Sequence, residues 1–226
     1  MKVTAIILAL EHLTPSVREL WAEPIARTPV LKMVVENCLG SGVVDEAFVL
    51  GDFDELCSLP DVGGAKVRRV PGYCSQHHFN FLNMEVRCID MESAMAAEIG
   101  AAADLTFFVA WNLPFIRSRH YELLYHRLLD DPVAARVLPI TQVDPQLYML
   151  RESTRKFYPV WCHKGLDRQL IQPLFRPVNA CLASWGRLRM TLPKFVGLEM
   201  EHSALYQIVT RDDMEQAGRM FAYVVP

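Results

Sequence analysis

Val3-Thr4-Ala5-Ile6-Ile7-Leu8-Ala9-Leu10, closed by Glu11, decides how this chain folds. The run carries no charge, is too short for a bilayer span, and lacks the polar alternation of a strand with one wet face. It predicts a β-strand buried on both faces, the kind found in the middle of a parallel sheet. Only Lys2 precedes it as a basic residue and no small-residue cleavage pattern follows, so it does not read as a secretory signal.

Working outward, similar apolar runs recur at Ala47 to Gly51, Ala65 to Val70 and Leu105 to Ala110, each predicted to be a strand buried on both faces. Helical patterns lie between them. Pro29 is placed at the first turn of one helix, with Val30, Val34, Val35 and Cys38 as its apolar stripe and Gly40 and Gly42 at its end. Two more helices are predicted over about Met91 to Ala102 and His120 to Leu129. Strands alternating with helices define an α/β chain with a mostly parallel sheet covered by helices.

Past residue 132 the alternation gives way to strand-like pieces at Arg136 to Thr141, Leu147 to Leu150 and Val178 to Ala183, interrupted by prolines. This region, about 140–180, is expected to be an inserted, irregular β arm. Leu205 to Val209 is predicted as a last strand, and Thr210 with Asp213 as a capping box for a helix through about Phe221. No internal repeat or low-complexity linker divides the 226 residues, so 1–226 is expected to form one domain.

Composition narrows the function. Hydrophobic residues make up 51% and charged residues 22%, which excludes a disordered or fibrous chain, and a net charge of -3 argues against a nucleic-acid backbone as partner. No stretch is long and apolar enough to span a membrane as a helix. Six cysteines, Cys38, Cys57, Cys74, Cys88, Cys162 and Cys181, lack disulfide or zinc spacing and read as reduced thiols of a cytoplasmic protein. No GxSxG elbow, P-loop or GxGxxG follows a strand, so hydrolase, P-loop kinase and dinucleotide readings have no motif to rest on. His120, Tyr125 and His126 read as a solvated helix face, and Met190, Met200, Met214 and Met220 as core filler.

The opening strand, with Arg18 and Glu23-Pro24-Ile25-Ala26-Arg27-Thr28-Pro29-Val30 after it, resembles the opening of the CMP-sialic acid synthetase group of cytidylyltransferases. In that group the strand leads to a Gly-Gly-Ser-Lys loop, an Arg, and a Lys-Pro-Leu-x-Gly-Lys-Pro-Leu segment. Here Glu11-His12-Leu13-Thr14 stands in the loop's place, while Pro24 and Pro29 keep the spacing. Val67-Arg68-Arg69-Val70-Pro71 resembles the group's strand-end Arg-Pro element. Asn112-Leu113-Pro114-Phe115 resembles its Asp-x-Pro element, with Asn in place of Asp. Gln207-Ile208-Val209-Thr210-Arg211-Asp212-Asp213 resembles its Asp-Ile-Asp-Thr-Pro-Glu-Asp ending, and Pro177-Val178-Asn179-Ala180 its Asn-Gly-Ala strand.

The resemblance implies a Rossmann-like sheet sandwiched by helices and transfer of CMP from CTP to a sugar acid, phosphonate or related acidic acceptor, with pyrophosphate released. It implies nucleotide binding by Leu8, Ala9, Leu10, Glu11, His12, Arg18 and Arg69, with Arg18 and Asn112 as catalytic positions. His77 and His78, in the polar loop Gly72 to Asn80, and Asn179 are expected to face the acceptor. Asn112 and Gln207 fall on the metal positions, where Mg²⁺ would be held by two amides in place of carboxylates. A homodimer joined through the arm is also implied. The alternative is a non-catalytic descendant that keeps the fold to bind a nucleotide or sugar, or to partner an active subunit.

Overall fold

A computed structural model describes residues 1–11, 16–69, 103–131, 134–143, 149–153, 156–159, 174–177, 181–185 and 194–224. The described strands are β1 Val3–Ala9, β2 Pro24–Ile25, β3 Thr28–Pro29, β4 Glu46–Gly51, β5 Asp61–Val62, β6 Ala65–Arg69 and β7 Leu105–Ala110, followed by β8 Ala134–Val143, β9 Met149–Ser153, β10 Lys156–Pro159, β11 Leu174–Pro177, β12 Cys181–Trp185 and β13 Lys194–Glu199. The described helices are α1 Val17–Leu20, α2 Val30–Leu39, α3 Asp54–Cys57, α4 Ser118–Asp130 and α5 Arg211–Val224.

The main sheet runs in the order β11-β8-β12-β7-β1-β4-β6-β5, with β13 pairing β8. β1 is buried along its whole length and pairs in parallel with β4 on one side and β7 on the other. An apolar run without polar alternation fits only such a position, where helices or loops cover both faces. From β1 the chain moves outward to β4 and β6, then returns to place β7 on β1's other side. Strand order therefore reverses at β1, and in open α/β sheets the crevice at such a reversal, beyond the carboxyl ends of the strands, is where ligands bind.

Helix α2 covers the sheet through Val30, Leu31, Val34, Val35 and Cys38, while Lys32 and Glu36 face solvent as an i,i+4 pair. Helix α4 buries Tyr121, Leu124 and Leu128, and the Tyr121 ring meets Phe107 of β7 edge-on at 5.6 Å. Asn37 Nδ2 donates to Pro114 O at 3.2 Å and Ser118 Oγ donates to Asn37 O at 2.8 Å, which ties α2 to the segment after β7.

Several expectations need correction. Pro29 is not in the first turn of α2 but precedes it, with ψ 140° and a place in the β2-β3 hairpin. β6 is half-buried: Ala65 and Val67 face the core while Lys66, Arg68 and Arg69 are exposed. The irregular arm expected over about 140–180 is narrower, because residues 140–143 and 174–177 pair with each other in the main sheet. Among the described residues only the β9-β10 hairpin forms a sheet of its own in that span. Leu205 to Val209 is not a strand; a 3-10 turn at His202–Leu205 leads into an irregular segment that packs end-on against β7. The helix expected over Met91 to Ala102 lies outside the described residues.

The capping box is present. Thr210 Oγ1 accepts from Asp213 N–H at 3.2 Å, and the Asp213 carboxylate accepts from the N–H of Thr210 at 2.8 Å and of Val209 at 3.0 Å. Met200 is buried, and Met214 and Met220 pack against the core. Cys38, Cys57 and Cys181 are free thiols, and burial pushes the Cys181 thiol up to about 12, where it is unreactive. Among the described residues no helix is long and apolar enough to cross a membrane.

Candidate functional site

The strand register brings the sequence-derived positions to one sheet edge. Ala9 is level with Gly51, Gly51 is level with Arg69, and Leu8 is level with Ala110. The carboxyl ends of β7, β1, β4 and β6 thus stand side by side, and the segments carrying Glu11, Arg18, Asp52 and Asn112 all leave from them. Leu8, Ala9 and Leu10 have buried side chains and form the floor of this edge. Trp111 N–H donates to Leu8 O at 3.2 Å, and Glu11 N–H donates to Asp52 Oδ1 at 2.8 Å.

Both arginines are engaged. Helix α1 anchors itself through buried Val17 and Leu20 and turns Arg18 outward, where Arg18 Nη2 meets Glu55 Oε1 at 2.9 Å. Arg69, at the end of β6, pairs with Asp54. Asp54 and Glu55 are consecutive residues of α3, which follows β4, the strand between β1 and β6. Glu55's hydrogen bond and charge hold the Arg18 guanidinium further up, and the Arg18 hydrogen bond holds the Glu55 carboxyl below its usual range. Among the described residues the rim therefore gathers Glu11, Asp52, Asp54 and Glu55 around Arg18 and Arg69, an excess of negative charge.

Asn112 is 4% exposed and locked to the C-terminal segment: its Nδ2 donates to Ile208 O at 2.9 Å, and Ile208 N–H donates to Asn112 O at 3.0 Å. Gln207 is the neighbour of Ile208 but is exposed, so the two expected metal positions are joined through the backbone while their side chains differ in burial. Asn112 Oδ1 and Trp111 Nε1 are buried and find no hydrogen-bond partner among the described residues. For Mg²⁺ this donor set is a poor fit. It offers neutral amides where a hard dication wants carboxylate oxygen, and among the described residues no group of three or more His, Cys, Asp or Glu could hold a metal.

His120 corrects the reading of a solvated helix face: it is 2% exposed. As the third residue of α4 it accepts from Arg117 N–H through Nδ1 at 3.0 Å and returns its own N–H to Arg117 O at 2.9 Å. Its Nε2 lies 3.3 Å from Glu201 Oε1, and Arg119 pairs with the same carboxylate. Burial, the largest influence, lowers the imidazole's pKa, and the charge of Glu201 opposes it. These residues, with Phe115, Ser203 and Ala204, line a cavity of about 280 Å³. A sequence signal existed, since a His three residues past Arg117 can play the capping-box acceptor, but its partner Glu201 is remote in the chain.

His12, His77, His78 and Asn179 lie outside the described residues. Arg27 is in the β2-β3 turn with φ 78°, after Ala26 at φ 47°. Both take the left-handed conformation of a type I′ hairpin turn, which glycine adopts without penalty.

Sheet order and the reversal at β1 define a mostly parallel, Rossmann-like α/β sheet covered by helices. Two solved structures share it along essentially the whole chain. A CMP:2-keto-3-deoxy-manno-octonic acid synthetase complexed with CTP superposes with a TM-score of 0.71 at 14% identity, covering 100% of both chains. A 4-diphosphocytidyl-2C-methyl-D-erythritol synthase from Anaerococcus prevotii superposes with a TM-score of 0.66 at 13% identity, covering 98% of both chains. No protein-family profile matches the sequence, and no curated protein matches it.

Proposed function

We propose that this chain binds a nucleotide, CTP in first place, across the crevice at the ends of β1 and β7 and transfers its CMP group to an acidic acceptor, a sugar acid or a phosphonate. The acceptor oxygen forms a bond to the α-phosphorus as the bond from that phosphorus to the bridging oxygen breaks. Pyrophosphate leaves with its electron pair, and the acceptor's proton goes to solvent. The observation that carries the reading is the reversal of strand order at β1, with Glu11, Arg18, Arg69 and Asn112 at the strand ends of that edge and Gln207 brought beside Asn112 by the Ile208 contact. That one neighbour of this fold is described as complexed with CTP supports the choice of nucleotide.

In this proposal the backbone at Leu8, Ala9, Leu10 and Glu11 forms the floor, Arg18 and Arg69 take phosphate oxygens, and His12 also contacts the nucleotide. His77, His78 and Asn179 face the acceptor. Catalysis rests on positioning and charge neutralisation by the arginines. No step passes through Mg²⁺, because the donors at Asn112 and Gln207 do not fit it. The arm, narrowed to the span between residues 143 and 174, is proposed as the contact of a homodimer.

One observation favours a second reading. The Asn112 amide is committed to Ile208, a structural use of the position that the resemblance assigns to a metal ligand. Under that reading the chain binds a nucleotide or sugar without turnover, alone or beside an active subunit. Incubation with CTP and a panel of acidic sugars and phosphonates, read by pyrophosphate release, tests the pair. Release with one acceptor is the expected result; CTP binding without release with any acceptor leaves the second reading. A ligand at 100 times its Kd adds about 2.7 kcal/mol to stability, so a melting curve unmoved by every NTP and acid sugar overturns both.

A further inference from the structure

The two arginines offered to the nucleotide do not wait empty-handed. Arg18 approaches from the segment after β1 and Arg69 from the end of β6, and β4 lies between those strands. The four-residue helix after β4 reaches to both sides at once, Glu55 to Arg18 at 2.9 Å and Asp54 to Arg69. What lets α3 fold back so closely is Gly51: a Cβ there would come within 2.8 Å of Leu56 Cδ2 and 3.3 Å of Cys57 Sγ. Leu56 itself is fully buried, so α3 is fastened while its two acids remain exposed.

A guanidinium presents the same fork of donors to a carboxylate as to a phosphate. We propose that Asp54 and Glu55 occupy Arg18 and Arg69 as internal stand-ins for phosphate, so that an anionic ligand enters only by exchanging with them. This rests on the nucleotide reading above and assigns two residues that set how tightly a phosphorylated ligand is held. The exchange is feasible because both pairs are exposed: half or more of each side chain is open to water, and pairs of that kind are weak. The arginines are thereby kept oriented before the ligand arrives, and a ligand must outbid two carboxylates, which favours polyphosphates over single anionic groups.

Titration of the full chain with CTP, and separately with inorganic tripolyphosphate, tests this. Glu55→Gln and Asp54→Asn should each tighten both probes about two- to five-fold, the size of an exposed ion pair. Glu122→Gln, an exposed acid in the middle of α4, should change neither. The gain from Glu55→Gln should vanish in an Arg18→Ala background, and that from Asp54→Asn in an Arg69→Ala background. A gain that persists without the arginine, or no gain at all, overturns the proposal. CTP bound by wild type but not tightened in the variants overturns it while leaving the nucleotide reading intact. Tripolyphosphate tightened with CTP unbound leaves the stand-ins and overturns that reading, and binding of neither probe by any chain overturns both.

Discussion

Asn112 and Ile208 form a reciprocal clasp across 96 residues, the Asn112 side chain donating to Ile208 O at 2.9 Å and Ile208 N–H donating to Asn112 O at 3.0 Å. It pins the C-terminal segment to the end of β7. Asn112→Ala should destabilise the fold by about 1–3 kcal/mol, since a buried carbonyl loses its donor. Asn112→Asp should be worse at neutral pH, because a carboxylate would face that carbonyl. Burial would raise such a carboxyl's pKa above its unfolded value, so the variant's stability should be highest at acid pH and lost as pH rises. Urea unfolding at pH 5 and pH 8 checks this, and an Asn112→Asp chain as stable as wild type at pH 8 contradicts it.

The buried imidazole of His120 predicts a pH dependence. Its folded pKa is lowered by burial, against the charge of Glu201, so the unfolded chain takes up the proton first as pH falls. Its contribution to stability is therefore present above the ordinary value of 6.5 and lost as pH drops from there through the folded value. The melting temperature should decline between pH 7.5 and 5.5, and His120→Asn, which keeps an acceptor for Arg117 N–H, should flatten that decline. An identical slope in both chains would count against it.

Asp213 gathers four donors, the N–H of Val209 and Thr210 and the hydroxyls of Thr210 and Tyr206. Asp213→Ala should cost about 1–2 kcal/mol, a full helix cap, read as a lower denaturation midpoint with unchanged slope. Asp213→Glu should recover part of the loss, because Glu is the usual residue at that position of a capping box.

The β2-β3 turn holds two non-glycine residues at positive φ. Replacing them by the pair such turns favour, Ala26→Asn with Arg27→Gly, should stabilise the chain by about 0.5–1 kcal/mol. A lower melting temperature would show that the Arg27 side chain outweighs the backbone preference.

Much of this molecule was legible in one dimension because the signals are local. Val3 to Ala9 is buried on both faces as its unbroken apolar run requires, Leu105 to Ala110 keeps the predicted bounds, and the Thr210-Asp213 box starts its helix. Leu205 to Val209 misled because its apolar residues look strand-like, whereas Ile208 is buried in the core and its backbone is bonded to Asn112, a partner no local pattern contains. Lys66, Arg68 and Arg69 marked β6 as half-wet, a period-two signal in plain view that the surrounding valines obscured.

The chain's own order of residues determined the α/β class, the central strand and the cap that starts the last helix, since burial period and caps act over a few residues. Tertiary structure alone decided what the polar residues do there: Arg18 answers to Glu55, Arg69 to Asp54, His120 to Glu201 and Asn112 to Ile208. Hydrogen bonds and ion pairs act over only a few ångströms, and which groups come that close depends on how strands far apart in the chain are brought level.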